Sequence, residues 1–378
     1  MTVTADAPAA APASESTALR PAPTGLAGVL GSGDHKVVGR VWLVASLIHL
    51  AIVGVIAALV SAERIDGATF SVFGAEWVGA ADSYWRIAGV FLFVLPMTVG
   101  IATAIVPLQV GASTLAFPRA AAGAAWAFIL GSGLTVASFL MHGGPDGTDR
   151  DGAVLFTVAF GLVLVSLVIA WISIATTVLA LRTTGMGLRR VPLFSWSALV
   201  GGAVWIVTLP VLAGLLVVAY LNARYGSYID PSPTGTYGRI SWAFGTPTVY
   251  ALVIPAAGFI ASVVPVFAQT RHHLHRIALG LIGAVAVLSI GVWTIPSLSG
   301  AQPFLYKAPW TVVSVAAIVP VLGLAGLWGA TIRKGKVVLS SPLLFGVVAL
   351  LLSLLGLAAG AVQSIKPIET LVDGEAKT

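Results

Sequence analysis

Six histidines, 14 carboxylates and four methionines are the whole stock from which this 378-residue chain could build a metal, haem or proton-transfer site, because it contains no cysteine. Without thiols there is no disulfide, no iron–sulfur cluster, no Cys-ligated zinc and no Cys nucleophile. His49 is the candidate of most interest, since it lies within an apolar stretch with Ser46 about one turn before it. An imidazole there can ligate a metal or a haem iron, or pass a proton. The simpler reading is a neutral histidine hydrogen-bonded to a neighbouring helix. Iron or copper needs two or three converging ligands, and no second His, Asp or Glu occurs at mid-depth of another apolar stretch. His142 opens the segment HGGPDG (142–147), where Asp146 could share a cation with it, although loop capping explains both residues. The run Arg271-His272-His273-Leu274-His275-Arg276 has the residue types of a metal site. Its flanking arginines repel a cation, so it reads as a solvated basic loop touching anionic lipid headgroups. His35 and Lys36 read as interfacial anchors, and Asp82 with Arg86 as an ion pair or headgroup contact. No P-loop, G-x-S-x-G, H-E-x-x-H or C-x-x-C motif is present. Residue types alone assemble no active site.

The elements that would hold these residues are set by composition. Hydrophobic residues make up 58% of the chain and charged residues only 9%, with mean hydropathy +0.99, whereas a soluble domain carries roughly 25% charged residues. The chain is therefore an integral membrane protein. A helix crossing a hydrocarbon core of ~30 Å needs about 20 mainly apolar residues, and nine such runs occur, at 38–62, 86–111, 118–141, 153–181, 192–221, 242–268, 276–297, 309–332 and 341–364. They are apolar all round, unlike the alternating strands of outer-membrane barrels. The expected fold is all-α, a polytopic membrane helical bundle of about nine transmembrane helices. Residues 1–33, rich in Ala, Pro and Ser, are expected to form a disordered cytoplasmic tail, 34–364 the transmembrane bundle, and 365–378 a short polar C-terminal tail. The first 33 residues lack the basic start and apolar core of a signal peptide.

Charge orients the bundle. With the N-terminus inside, the inner loops carry Arg119, Arg182, Arg189, Arg190, Arg271, Arg276, Arg333, Lys334 and Lys336 and no acidic residue. The outer loops carry six basic residues (Arg64, Arg86, Arg150, Arg224, Arg239, Lys307) and eight acidic ones (Glu63, Asp66, Glu76, Asp82, Asp146, Asp149, Asp151, Asp230). This is the positive-inside asymmetry of a multi-pass plasma-membrane protein with its N-terminus cytoplasmic and its C-terminus outside. The net charge of +6 belongs to these loops, so the expected partner surface is a lipid bilayer and not nucleic acid. Pro96, Pro107, Pro210, Pro247, Pro255, Pro265 and Pro320 lie in or beside the apolar runs among many Gly and Ala, as in a tightly packed bundle.

Six segments resemble subunit I of the haem–copper respiratory oxidases, the cytochrome c oxidase subunit I-like family. They are Asp34–Arg40 followed by VWLVAS, Phe91–Arg119 (FLFVLPMTVGIATAIVPLQVGASTLAFPR) and Gly144–Gly147. They continue with LFSW (193–196) to LPVLAG (209–214), WAFGTPTVY (242–250) with Pro255 and Gly258, and LWGATIR (327–333). They follow family order from residue 34 to about 364. The resemblance implies a twelve-helix core with two haems and a copper ion, and this chain matches its first nine helices. At the matching positions the ligands are replaced. Counting back from Pro96, the family's haem histidine falls on Trp85, and its first copper histidine falls on Thr246. The proton-passing glutamate falls on Thr248, with only Tyr250 retained from that motif, and the paired copper histidines fall on Ile295 and Pro296. The aspartate opening one proton channel falls on Thr114, and the other channel's lysine has its ungapped equivalent near Val319. Indole offers an N–H and no lone pair for iron, and neither Thr nor Ile replaces imidazole at copper.

These replacements imply a shortened, ligand-poor paralogue: a non-catalytic membrane subunit of the aerobic respiratory chain, paired with a subunit II-like protein. No catalytic residue and no cofactor is then expected, with haem or copper bound only if the ligand set has been rebuilt, for instance around His49. The competing expectations are a terminal oxidase-type enzyme with altered haem binding, and a haem or copper transporter or assembly factor using the vacated sites as cavities.

Overall fold

The computed structural model describes residues 31–65, 75–145, 149–226, 246–272, 274–294 and 315–363, with Gly25, Gly28, Ile240, Pro309, Val312 and Val313 besides. The chain divides into two units, Met1–Ser32 and Gly33–Thr378, and the helices below all belong to the second. In order they are α1 (His35–Ile65), α2 (Ala75–Ala88), a π-helical turn (Gly89–Val94), α3 (Leu95–Val110), α4 (Pro118–Leu140) and α5 (Arg150–Ala180). There follow a short 3-10 turn (Leu188–Arg190), α6 (Leu193–Tyr225), α7 (Thr246–Phe267), α8 (His275–Thr294), α9 (Ile318–Lys334) and α10 (Ser341–Gln363). Because α2 runs through the π-turn into α3, the described residues form nine helical rods and no strand. The chain is a multi-pass helical membrane protein. Five rods are long and apolar enough to cross a membrane (His35–Glu63, Gly79–Val110, Pro118–Leu140, Arg150–Ala180 and Leu193–Tyr225), while Leu252–Phe267, His275–Ser289 and Ser341–Gly356 are shorter apolar stretches.

The second rod differs from its expected span of 86–111 by starting at Ala75. Glu76, Asp82, Ser83 and Arg86 suggest a loop by polarity, yet they stand on a helix. Asp82 and Arg86 face each other one turn apart, 3.2 Å between Oδ2 and Nε, a spacing that supports a helix.

Neighbours in sequence are neighbours in space: α4 packs on α5, α5 on α6, α6 on α7, and α1 on α3. The α1–α3 crossing depends on two glycines. A Cβ at Gly39 would stand 2.9 Å from Ala104 Cβ and 3.0 Å from the Gly100 carbonyl oxygen, and a Cβ at Gly100 would stand 2.9 Å from Trp42 Cβ. Small residues at such contacts let membrane helices gain close van der Waals packing, since lipid tails supply no hydrophobic drive between helices. Two cores result. One joins α1 to α6 around Trp42, Phe91, Phe128, Phe160, Trp171 and Trp205. The other joins α7, α8 and α9 around Ile260, Ile282, Leu324 and Trp328, with Trp196 of α6 packed against it.

Most buried hydroxyls are satisfied inside their own helices. Ser46 donates to the Trp42 carbonyl, Thr135 to Gly131, Ser166 to Val163, Thr177 to Ser173 and Thr331 to Leu327, at 2.7–2.8 Å. This back-bonding keeps polar groups from costing energy in lipid, and it spends their protons within a single helix.

Candidate functional site

Trp85, which the resemblance matches to the family's haem histidine, lies in the last turn of α2. Its Nε1–H donates to Asp82 Oδ1 at 3.0 Å, and Arg86 Nε donates to the other oxygen of the same carboxylate at 3.2 Å. The Arg86 guanidinium also lies over the indole, 5.0 Å from the ring centroid. Three side chains on one helical turn thus hold one another, and the only polar atom of the indole is committed to a carboxylate. Haem iron takes a lone pair from imidazole, thiolate, thioether or phenolate. An indole N–H provides none, so Trp85 does not fit a haem.

Its neighbour Tyr84 is the side chain that enters the core. It is 2% exposed and its hydroxyl has no hydrogen-bond partner among the described residues. From it an aromatic chain runs through the bundle: Tyr84 to Phe139 at 4.9 Å between centroids, Phe139 to Phe156 at 5.6 Å, Phe156 to Phe160 at 5.4 Å, Phe160 to Phe91 at 5.4 Å and Phe91 to Trp205 at 6.2 Å. Edge-to-face pairs dominate, the geometry aromatic quadrupoles favour. In the sequence Tyr84 is overshadowed by Trp85, the residue that the resemblance matches to a haem histidine. The signal was present in the spacing of Tyr84, Ala88, Phe91 and Leu95, all buried on one face.

His49 is 7% exposed on α1. Its Nδ1 lies 2.8 Å from the Ala45 carbonyl oxygen, which can only accept, so Nδ1 carries the proton and Nε2 the lone pair. Its ring is 6.0 Å from Phe128, which also packs on Trp42 at 4.7 Å. Its hydrogen-bond partner is thus on its own helix and not on the neighbouring helix expected, and one ring nitrogen keeps a lone pair. Among the described residues no three His, Asp or Glu side chains come together as a metal site.

The other candidates are dispersed. His142 adopts a left-handed backbone (φ 53°) with its ring 4.0 Å from Trp77. The carboxylate that caps the following helix is Asp149, whose Oδ2 accepts from Gly152 N at 2.6 Å; Asp146 lies outside the described residues. His272 and His275 stand edge to face at 6.5 Å, and His273 lies outside the described residues. His35, expected as an interfacial anchor, is instead 6% exposed, because the first turn of α1 packs inward with its Nδ1 3.5 Å from Asp34; Lys36 is exposed. Thr114 is exposed on the α3–α4 loop, and Val319 is 67% exposed on α9. Thr246, Thr248 and Tyr250 fall on the first turns of α7, their side chains outside what is described, as are Ile295 and Pro296 altogether.

The segments that carry the family resemblance make ties between elements. Ala116 N donates to Thr177 Oγ1 at 2.8 Å and Thr183 N to the Val110 carbonyl at 2.9 Å, tying the α3–α4 loop to the end of α5 and the α5–α6 loop to the end of α3. Gln109 Oε1 accepts from both Oγ and N of Ser195, at 2.6 and 3.2 Å, and holds the start of α6 to the end of α3. The sequence pattern agrees with the comparisons. A family model described as "Cytochrome C and Quinol oxidase polypeptide I" matches residues 37–376. A protein of Streptomyces coelicolor named "Probable cytochrome c oxidase subunit 1-alpha" is 27% identical over 364 residues, covering 90% of this chain and 61% of that protein. One of Nocardia farcinica named "Probable cytochrome c oxidase subunit 1-beta" is 27% identical over 355 residues, covering 89% and 60%. The "Cytochrome c oxidase subunit 1" of Cereibacter sphaeroides is 29% identical over 259 residues, covering 63% and 46%. The chain spans about 60% of the length of the first two relatives. It belongs to the cytochrome c and quinol oxidase polypeptide I family.

Proposed function

We propose that this chain is a non-catalytic, subunit I-like component of a respiratory membrane complex, one that keeps the family's packing and carries no haem–copper chemistry of its own. The observation that carries the reading is Trp85: its indole N–H is bonded to Asp82, at the position that the resemblance matches to a haem ligand. The aromatic chain beginning at Tyr84 fills the adjoining core, which argues against a haem or copper passage beside that turn. Own-helix bonding of the buried hydroxyls leaves them poor relays between helices. An oxidase subunit II-like protein is the expected partner. The charge asymmetry of the loops supports a cytoplasmic N-terminus and an outer C-terminus in the plasma membrane.

One observation favours a second reading, an oxidase-type protein with relocated haem binding: His49 keeps a lone pair on Nε2 while Nδ1 is anchored to Ala45, the arrangement in which histidines ligate metals. Both readings meet in one experiment. The full chain is purified from native membranes, its haem and copper content and reduced-minus-oxidised spectrum are recorded, and co-purifying proteins are identified. The first reading expects no stoichiometric haem or copper and a subunit II-like partner; a chain that runs alone overturns it. Haem bands that vanish in His49→Ala establish the second.

A further inference from the structure

The α5–α6 loop and the first turn of α8 bring four arginines to one end of the bundle. Arg182, Arg189, Arg190 and Arg276, with Leu188, line a cleft of about 690 Å³. Arg182 is fixed in place: Nε donates to the Met186 carbonyl at 3.0 Å, and Nη1 to the Leu179 carbonyl at 2.8 Å and to that of Val178, closing the C-terminus of α5. The side chains of Arg189, Arg190 and Arg276 make no hydrogen bond or ion pair among the described residues, and no acidic residue occurs in 181–192 or 268–280. Four like charges around one opening repel each other unless an anion sits between them. Guanidinium forks match the paired oxygens of a phosphate.

A second cleft, of about 320 Å³, opens from the first and shares Leu188, Arg189 and Arg276 with it. It continues between α6 and α8 past Trp196, Leu279, Gly280 and Gly283. Trp196 Nε1 donates to the Leu279 carbonyl at 3.0 Å, joining the two helices beside the slot and removing a polar group from it. A Cβ at Gly280 or Gly283 would meet no atom within 4 Å, so these glycines leave the slot open. Arg276 and Gly283 are seven residues apart on α8, about 10 Å along the axis, which is the depth of a headgroup region and the upper part of an acyl chain. Since α5 and α6 are both long enough to span, the loop joining them lies at a membrane surface.

We propose that these joined clefts bind an anionic phospholipid, its phosphate among the arginines and the start of one acyl chain in the α6–α8 slot. A free phosphate would use the first cleft and leave the apolar one idle. The site is independent of whether the chain binds haem.

The test uses the purified full chain in phosphatidylcholine bilayers containing spin-labelled phosphatidylglycerol or spin-labelled phosphatidylcholine, with the motionally restricted fraction read by electron paramagnetic resonance. The chain is expected to select phosphatidylglycerol. Arg189→Gln and Arg276→Gln each lower that selectivity about fivefold, and Arg119→Gln, on the α3–α4 side, leaves it unchanged. Gly283→Leu, which fills the slot and keeps every charge, also lowers it, with the helical circular dichroism unaltered. Three results would overturn the proposal: selectivity retained when Arg189 and Arg276 are both replaced, an equal loss in Arg119→Gln, or displacement by inorganic phosphate (against chloride at matched ionic strength) together with no effect of Gly283→Leu. The last identifies a free-anion pocket.

Discussion

The crossing of α1 and α3 can be tested with one substitution made twice on the same helix. At Gly39 an added methyl meets Ala104 Cβ at 2.9 Å and the Gly100 carbonyl oxygen at 3.0 Å, while the optimal separation of non-bonded carbons is about 3.5–4.0 Å. Neither neighbour can rotate away, one being a methyl fixed to its backbone and the other the backbone itself. The helices must part by several tenths of an ångström, and overpacking of this kind costs about 1–3 kcal/mol. The gain in helix propensity from Gly to Ala returns about 0.5–1 kcal/mol, so Gly39→Ala should lose up to about 2.5 kcal/mol net. At Gly54, fifteen residues along α1, a Cβ meets nothing within 4 Å. There only the propensity term acts, and Gly54→Ala should gain about 0.5–1 kcal/mol. Reversible unfolding in mixed detergent micelles titrated with dodecyl sulfate, followed by circular dichroism, measures both. The two variants should fall on opposite sides of the parent protein. If Gly39→Ala proves as stable as Gly54→Ala, the close approach at Gly39 is not a determinant of the bundle and the account of the α1–α3 contact is wrong.

Other contacts make their own predictions. Gln109→Leu strands the Ser195 N–H and hydroxyl and should cost about 1–3 kcal/mol in the same assay, whereas Gln109→Glu keeps an acceptor and should cost less. Trp85→Phe removes one hydrogen bond to a charged group, half-buried, and should cost about 1.5 kcal/mol without changing haem content. Trp171→Ala empties a fully buried site packed against Gly202 and should cost about 3–5 kcal/mol. Because the chain has no cysteine, single cysteines report topology without background. Thr184→Cys should react with an impermeant maleimide only from the cytoplasmic side of oriented vesicles and Tyr225→Cys only from the outer side; the reverse pattern inverts the proposed orientation.

Helices and their order were legible in the sequence because spans are dictated by the bilayer: without water, a backbone must satisfy itself, and apolar runs reveal where. Polarity misled at one place. The Glu76–Arg86 stretch reads as a loop, yet Ala-rich spacing and the Asp82–Arg86 pair carry α2 well before its apolar part. The site was legible chiefly as substitution, in Trp85 standing where the resemblance asks for imidazole. What that indole does was not, since the Asp82 bond depends on side-chain rotamers. His35 was misplaced for a related reason: hydropathy marks the boundary of a span but not which face of its first turn packs inward. Tyr84 and the arginine-lined cleft were missed because both arise from directions in space, one from a helix face and the other from loops far apart in the chain.

The π-turn at Gly89–Val94 has a further consequence for how this polypeptide changed over time. Such a turn holds one more residue than the α-helix it replaces, so the chain has, in effect, an insertion stored between Arg86 and Pro96. Deleting a residue there would let the rod close into a continuous α-helix while α2 keeps its rotation about the axis relative to α3, because the π-turn sweeps with one more residue about the angle of the α-helical segment it replaces. The residue delivered to the core would still be Tyr84. A single codon gained or lost can thus be absorbed at this turn without exchanging the side chain that α2 offers to the bundle interior, which makes the turn a place where length can vary while the packed face is kept.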